Sequence, residues 1–333
     1  MPIPLKSAAG MLALAVLGCA GCATSSDTRS ATPSATRSEA PSDTDYAPYV
    51  SASTAYATDS AGSPDAYNLA FVVANGTACT PSWGGHSKVD AAGVTSRIKK
   101  LGASGATLRI SFGGASGDEL ATTCDTASEL AAAYAEALDA AGGATHVDFD
   151  IEGDTLKDSA ANARRAEAIA LLEKKRDLDV TFTLPVMPSG LDDDALDLLE
   201  AANDQGVQVS TVNIMTMNYG ESYQGDMSDY ARTAAEATHT QLKDVFGLSD
   251  KNAWRGMALT SMLGVNDIEG ETFTLADAAQ LRTFAEKKGI AWVSTWATFR
   301  DVPCASGTDT NDAATNCSGV KQSEGAFGRA LSG

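Results

Sequence analysis

The chain has 333 residues, 44% of them hydrophobic and 20% charged, which is enough apolar material for a large buried core. Its 24 Lys and Arg residues face 43 Asp and Glu residues, giving a formal net charge of -19. Such a charge repels nucleic acids and anionic membrane surfaces, so neither is expected as a partner. A neutral polymer is not excluded by this charge.

Residues 1–22 have the pattern of a bacterial export signal. An apolar run, 11–17, is too short to span a bilayer and leads into small residues with Cys19 and Cys22. Both cysteines end a segment similar to a lipobox, so lipidation at Cys22 or Cys19 and simple cleavage near Ala23 remain alternatives. We therefore expect a protein that is secreted or anchored to the outer face of the bacterial membrane.

The composition changes twice after the signal. Residues 23–44 are rich in Ser, Thr, Ala and Pro and predict a disordered linker. From 45 to 333, short β-like runs alternate with helical segments, which is typical of a parallel sheet with helical crossovers. Eight such units predict one (β/α)8 TIM-barrel catalytic domain, with its chemistry at the C-terminal strand ends. The predicted strands are 47–50, 68–74, 107–111, 147–152, 180–184, 209–215, 256–262 and 290–295.

The fourth predicted strand carries the strongest functional signal, because apolar and acidic residues alternate from Val147 to Glu152. Alternation places Asp148, Asp150 and Glu152 on one face, with neighbouring acids roughly 6.6 Å apart. In a poorly solvated site such acids raise one another's pKa, so at least one should hold a proton. A protonated carboxyl beside an ionised one is what glycosidic bond cleavage requires. The plainer alternative is a half-exposed strand with a solvated acidic face.

This stretch resembles the D-x-x-D-x-D-x-E signature of glycoside hydrolase family 18, the chitinases and their relatives. The last three acids of the signature are Asp148, Asp150 and Glu152, whereas Thr145 stands where the first acid is expected.

Further segments resemble the same family and fall on the expected strands. The third strand ends in an S-x-G-G sequence, the sixth is similar to M-x-Y-D, the seventh to M-x-G-x-N-D, and the eighth ends in a tryptophan followed by R-D. An indole at a barrel mouth makes a floor for a sugar ring. From this resemblance we expect the following substrate-binding residues: Ser111, Gly113, Gly114, Met215, Met217, Asn218, Asn266 and Trp296.

The sixth strand departs from the family pattern. Met217 and Asn218 occupy the positions of the family's tyrosine and aspartate, whose roles are to bind the reacting acetamido group and to line the site. Tyr219 is the candidate replacement, because on a continuing strand it would share a face with Met217.

The resemblance implies hydrolysis of β-1,4-linked N-acetylglucosamine by substrate assistance. Glu152 would be the general acid and base, Asp150 would orient the acetamido group and stabilise its charge, and Asp148 would set the proton on Asp150. Two other interpretations remain open. One is a non-catalytic chitin-binding lectin, and the other is an endo-β-N-acetylglucosaminidase acting on N-glycans. A monomer that needs no cofactor is expected in each case.

The remaining cysteines number four, and an even count in an exported chain favours disulfides. Cys304 and Cys317 enclose a polar loop and are predicted to pair, which leaves Cys79 with Cys124. The mature part contains no C-x-x-C sequence and its histidines are scattered, so no zinc site is expected.

Overall fold

The computed structural model describes residues 44–333, so the predicted export signal and residues 23–43 of the predicted linker lie outside the described residues. The first barrel strand has two short segments, Asp45–Tyr46 and Tyr49–Ser51. They flank Pro48, which has no N–H to donate to a neighbouring strand. The first segment pairs with the eighth barrel strand and the second with the second strand, and this closes the sheet.

Each of the eight predicted strands is present, and neighbouring barrel strands pair in parallel around the closed sheet. The prediction of a (β/α)8 barrel is therefore confirmed. Strands two to eight are Ala66–Asn75, Thr107–Gly113, His146–Asp150, Asp179–Pro185, Val209–Met215, Met257–Met262 and Trp292–Trp296.

The helices between the strands begin and end at recognisable signals. Thr126 and Thr274 form capping boxes with acids three residues later, and the Asp192 carboxylate accepts the Ala195 amide at the start of another helix. The α-helices are Ala92–Gly102, Leu120–Thr123, Ala127–Ala140, Gly153–Leu156, Ser159–Glu173, Asp193–Asp204, Met227–Phe246, Asp250–Arg255, Leu275–Lys288 and Ala326–Ser332, and the 3-10 helices are Ala57–Ser60 and Thr298–Arg300. No helix within 44–333 is both long enough and apolar enough to cross a membrane.

Strand alternation divides the barrel into an apolar outer layer and a polar interior. Phe112, Phe149 and Phe182 are buried on adjacent strands, with ring centroids 5.5 and 5.7 Å apart. The residues next to them in sequence point the other way, and Ser111, Asp148 and Thr183 fill the inside of the barrel. The apolar outer layer thus holds the polar groups in fixed positions.

Two antiparallel hairpins extend the barrel at its C-terminal end. Ala78–Trp83 and Ser87–Lys88 follow the second strand, while Gly264–Val265 and Thr272–Phe273 follow the seventh. The two predicted disulfides are confirmed. Cys79–Cys124 ties the first hairpin to a neighbouring loop, and Cys304–Cys317 closes the loop after the eighth strand.

Removing either disulfide should lower the free energy of unfolding. Replacing Cys79 and Cys124 together by alanine should cost about 2–4 kcal/mol, because the bond restricts the unfolded chain over a separation of 45 residues. The Cys304/Cys317 double variant, with a separation of 13, should lose about 1 kcal/mol less. Urea denaturation followed by tryptophan fluorescence measures both. Double variants as stable as the parent protein would contradict this role.

Candidate active site

The C-terminal ends of the strands open onto a continuous groove. Its central segment, of about 500 Å³, shares Phe71, Ala115 and Trp296 with a segment of about 990 Å³ on one side. It shares Glu152 and three residues of the sixth strand and its loop with a segment of about 610 Å³ on the other side. The central segment is lined by Tyr49, Phe71, Ala115, Asp150, Glu152, Thr183, Met215, Met217, Asn218, Thr260, Asp267 and Trp296.

The acids of the fourth strand lie at increasing height in the barrel. Asp148 is fully buried and Asp150 is 5% exposed, whereas Glu152 is only partly buried and borders the groove. The strand ends at Asp150, two residues earlier than predicted. Glu152 nevertheless keeps the alternation, because its backbone stays extended (φ -143°, ψ 172°) before a short helix begins at Gly153.

Asp148 is held by three hydroxyl groups. Its Oδ2 atom accepts hydrogen bonds from Ser111 at 2.5 Å and Tyr49 at 2.8 Å, and its Oδ1 atom accepts one from Thr183 at 2.6 Å. Burial raises the pKa of Asp148, while these hydrogen bonds and the positive charge of Arg109 act in the opposite direction. Three short donated hydrogen bonds stabilise the ionised form of the Asp148 carboxylate.

A side-chain hydrogen bond joins Asp150 and Glu152. Burial raises the pKa of Asp150 well above its usual range, and the nearby charges of Glu152 and Asp148 raise it further. Burial also raises the pKa of Glu152, with a smaller contribution from the charge of Asp267. The pair therefore holds protons at a pH where exposed carboxyls are ionised.

The S-x-G-G segment acts through close packing. The backbone of Gly113 is left-handed (φ 95°), and a Cβ atom there would lie 2.1 Å from the carbonyl oxygen of Asp150. At Gly114 (φ 86°) a Cβ atom would lie 2.8 Å from the Phe71 ring. Glycine is thus required at Gly113 for the third strand to pack against the fourth, and at Gly114 for the chain to pass beside the Phe71 ring.

Asp267 is a groove residue that the sequence interpretation did not select, although it ends the M-x-G-x-N-D segment. Asn218 donates a hydrogen bond to the Asp267 carboxylate at 2.9 Å and accepts one from the Asp267 amide at 3.0 Å. The Glu271 carboxylate, which is 1% exposed, joins the same two loops because it accepts a hydrogen bond from the Gly220 amide at 2.8 Å. A carboxylate from the seventh strand therefore lies beside Asn218, where the family pattern has an aspartate on the sixth.

Tyr219 does not follow Met217 into the groove lining. Asn218 between them has a left-handed backbone (φ 56°), so the strand alternation on which the prediction was based stops there. The Tyr219 ring packs against Tyr223 and Tyr230, with centroids 5.9 Å away in each case. A shared face with Met217 was therefore the wrong expectation, and a catalytic role for Tyr219 stays a prediction.

The eighth-strand segment divides into a groove part and a structural part. Trp296 lines the groove and stacks on Phe71, with ring centroids 5.4 Å apart. Arg300 instead donates hydrogen bonds to the carbonyl oxygens of Val265 at 2.8 Å and Thr315 at 2.9 Å, which ties the seventh-strand hairpin to the disulfide loop. Arg300 therefore supports the loops that form the walls of the groove and does not contribute to its floor.

Asn266 also differs from its predicted position in the groove. It is 3% exposed and donates hydrogen bonds to the carbonyl oxygens of Met262 and Gly264 at 3.1 and 2.9 Å. These contacts hold the turn that presents the neighbouring Asp267. Within residues 44–333, no three His, Cys, Asp or Glu side chains lie close enough together to hold a metal ion.

Comparisons with known proteins agree on one family. No protein-family model matches the chain. It is 33% identical over 278 residues to a "probable bifunctional chitinase/lysozyme" of Escherichia coli K12, which covers 78% of this chain and 31% of that protein. It is 32% identical over 255 residues to Endochitinase 11 of Metarhizium anisopliae, which covers 72% of this chain and 48% of the relative. The chain thus spans about a third of the length of the first relative and about half of the length of the second.

Solved structures of chitinases have the same fold. Catalytic-site mutants of active domain 2 of the thermostable Pyrococcus furiosus chitinase, complexed with chito-oligosaccharides, match with a TM-score of 0.76 and 28% identity, over 87% of this chain and 93% of theirs. A GH18 chitinase from Pseudoalteromonas aurantia (TM-score 0.53, 13% identity, 76% and 94% covered) shares the fold. A chitinase-like agglutinin from Robinia pseudoacacia also shares the fold, with a TM-score of 0.52 and 14% identity over 75% of this chain and 94% of the agglutinin.

The barrel, the three acids on its fourth strand and the similarity to these chitinases lead to the same conclusion: the chain belongs to glycoside hydrolase family 18 as a chitinase-like protein.

Proposed function

We propose that the protein is an exported enzyme that hydrolyses β-1,4 linkages between N-acetylglucosamine units of chitin or chito-oligosaccharides. The observation that carries this proposal is the column of carboxyls formed by Asp148, Asp150 and Glu152, which rises from the barrel interior to the groove. The Pyrococcus furiosus chitinase domain, solved with chito-oligosaccharides, supports the same class of substrate.

Glu152 is the proposed general acid because it borders the groove and its pKa is raised. It gives its proton to the glycosidic oxygen as the bond from that oxygen to the anomeric carbon breaks. The carbonyl oxygen of the substrate's own 2-acetamido group then bonds to the anomeric carbon, giving an oxazolinium ion. Glu152, now ionised, takes a proton from the water that attacks this carbon. The bond from the carbon to the acetamido oxygen breaks, the acetamido group is restored, and the product retains its configuration.

Asp150 is the proposed partner of the acetamido group. Its carboxyl borders the groove beside Glu152, where it can accept a hydrogen bond from a donor on a bound ligand. The acetamido N–H is such a donor, and its bond to Asp150 directs the carbonyl oxygen towards the anomeric carbon. As the oxazolinium ion forms, the negative charge shared with Asp148 stabilises it.

The shape of the groove favours binding within a sugar chain. Trp296 and Phe71 give the central segment an aromatic surface on which a pyranose ring can pack. Because the groove continues on both sides of its central segment, it leaves room for sugar units on either side of the scissile bond. We therefore propose internal, endo-type cleavage.

Export is proposed from the sequence together with the disulfides. Bonds such as Cys79–Cys124 and Cys304–Cys317 persist in oxidising compartments. They support export, which we propose takes the form of secretion or of lipid anchoring at Cys22 on the outer face of the membrane.

Replacing Glu152 by glutamine should separate catalysis from binding. The amide keeps the size of the side chain but has no proton to transfer, so turnover of chitin oligomers should fall by about 10² to 10⁴ while binding survives. Reducing-end release and calorimetric binding measure the two properties. Asp154→Asn is the matched control, because that side chain is fully exposed two residues along, and it should behave like the parent.

The same assay separates the alternative functions. A parent protein that binds chitin oligomers but releases no more product than Glu152→Gln would establish the lectin function instead. Release from a high-mannose glycopeptide without release from chitin oligomers would establish the N-glycan enzyme.

Asp267 should contribute to the pH dependence of the reaction. Its negative charge raises the pKa of Glu152, and Glu152 must be protonated to act as an acid. Asp267→Asn removes the charge and should move the alkaline limb of kcat/KM to lower pH. The shift should shrink with added salt, because Asp267 is exposed.

The control for Asp267→Asn is Glu269→Gln, which removes the same charge from an exposed position in the same hairpin. It should leave the profile unchanged. Identical profiles for the parent and both variants would exclude Asp267 as the source of the effect.

A further inference from the structure

Asn213, on the sixth strand, is fully buried behind the acids and contacts two hydroxyl groups that bind Asp148. Its Nδ2 atom lies 2.9 Å from the Thr183 hydroxyl and 3.4 Å from the Tyr49 hydroxyl. Its Oδ1 atom accepts a hydrogen bond from Thr260 at 2.9 Å. Hydrogen bonds therefore run from the seventh strand through the sixth and fifth to the fourth.

The chemistry of these groups indicates the direction of the hydrogen bonds around Asn213. A hydroxyl has one hydrogen, whereas an amide NH₂ has two hydrogens and no acceptor. The Thr260 hydroxyl donates to the amide oxygen, so the NH₂ group faces Thr183 and Tyr49. Both hydroxyl oxygens then accept from Asn213. The two hydroxyls also lie 3.0 Å from each other, but the Asp148 carboxylate is the stronger acceptor at 2.8 and 2.6 Å, so their single hydrogens point at Asp148.

We propose that Asn213, oriented by Thr260, is a positioning residue that makes the Thr183 and Tyr49 hydroxyls donate to Asp148 and so keeps the catalytic protons on Asp150 and Glu152. This inference rests on the proposed hydrolase function. Asn213 contributes through the hydroxyls, and it is absent from the residues lining the groove.

Few ionisable groups face Asp148 from the surrounding strands. Tyr49 lies on the first strand, Arg109 on the third, and Asp150 on the same strand as Asp148. The fifth, sixth and seventh strands contribute Thr183, Asn213 and Thr260, which do not titrate. Loss of a directed donor therefore acts on Asp148 without removing a charge.

The test is the pH profile of chitin oligomer hydrolysis by Asn213→Leu and Thr260→Val. Without the directed hydroxyls, ionised Asp148 is less stable and competes for the shared protons. The acid limb of kcat/KM should move to higher pH and kcat should fall by about tenfold or more. Thermal unfolding shows whether each variant is folded. If Asn213→Leu does not fold, Thr260→Val provides the test by itself.

Two controls separate direction from packing. Thr260→Ser keeps the hydroxyl and should restore the parent profile. Thr181→Val removes a buried hydroxyl that has no partner, on the strand next to Asp148, and should leave the profile unchanged. An active parent whose acid limb stays fixed in Asn213→Leu and Thr260→Val would overturn the inference alone, whereas an inactive parent would overturn the proposed hydrolase function with it.

Discussion

Burial of the Asp148 charge inside the barrel is the constraint on which the rest of the site depends. An ionised carboxylate with no exposure is stable only if hydrogen-bond donors surround it. Ser111, Tyr49 and Thr183 supply them from three strands, and closing the barrel brings those strands together. Burial, together with the charges of Glu152 and Asp148, raises the pKa of Asp150, and Asp150 in turn is hydrogen-bonded to Glu152 at the groove. The fold thereby connects a buried charge to an accessible acid.

The walls of the groove depend on connections between loops. Asn218 and Glu271 join the loops of the sixth and seventh strands, and Arg300 ties the second of these loops to the segment closed by Cys304 and Cys317. Asp267 is presented from this connected region. Its carboxylate is therefore placed by several weak contacts rather than by one strand.

The sequence predicted what alternation and local spacing determine. The barrel, the disulfides and the shared face of Asp148, Asp150 and Glu152 are confirmed, because a strand period of two survives in the folded protein even where the strand ends early. Tyr219 was misplaced because a left-handed Asn218 interrupts that period. The contributions of Tyr49 and Asn213 depend on pairing between strands far apart in sequence, which no local pattern records.

The central claim is that the substrate, not the protein, supplies the nucleophile, and a series of altered substrates tests it most directly. The measurement is kcat/KM for chitobiosides with a 4-nitrophenyl leaving group, whose reacting sugar carries an acetamido, monofluoro-, difluoro- or trifluoroacetamido group. Each fluorine makes the carbonyl oxygen a weaker nucleophile. The account predicts a progressive fall across the series, by about a hundredfold or more, equivalent to about 2.7 kcal/mol of barrier. Equal rates across the series would contradict it.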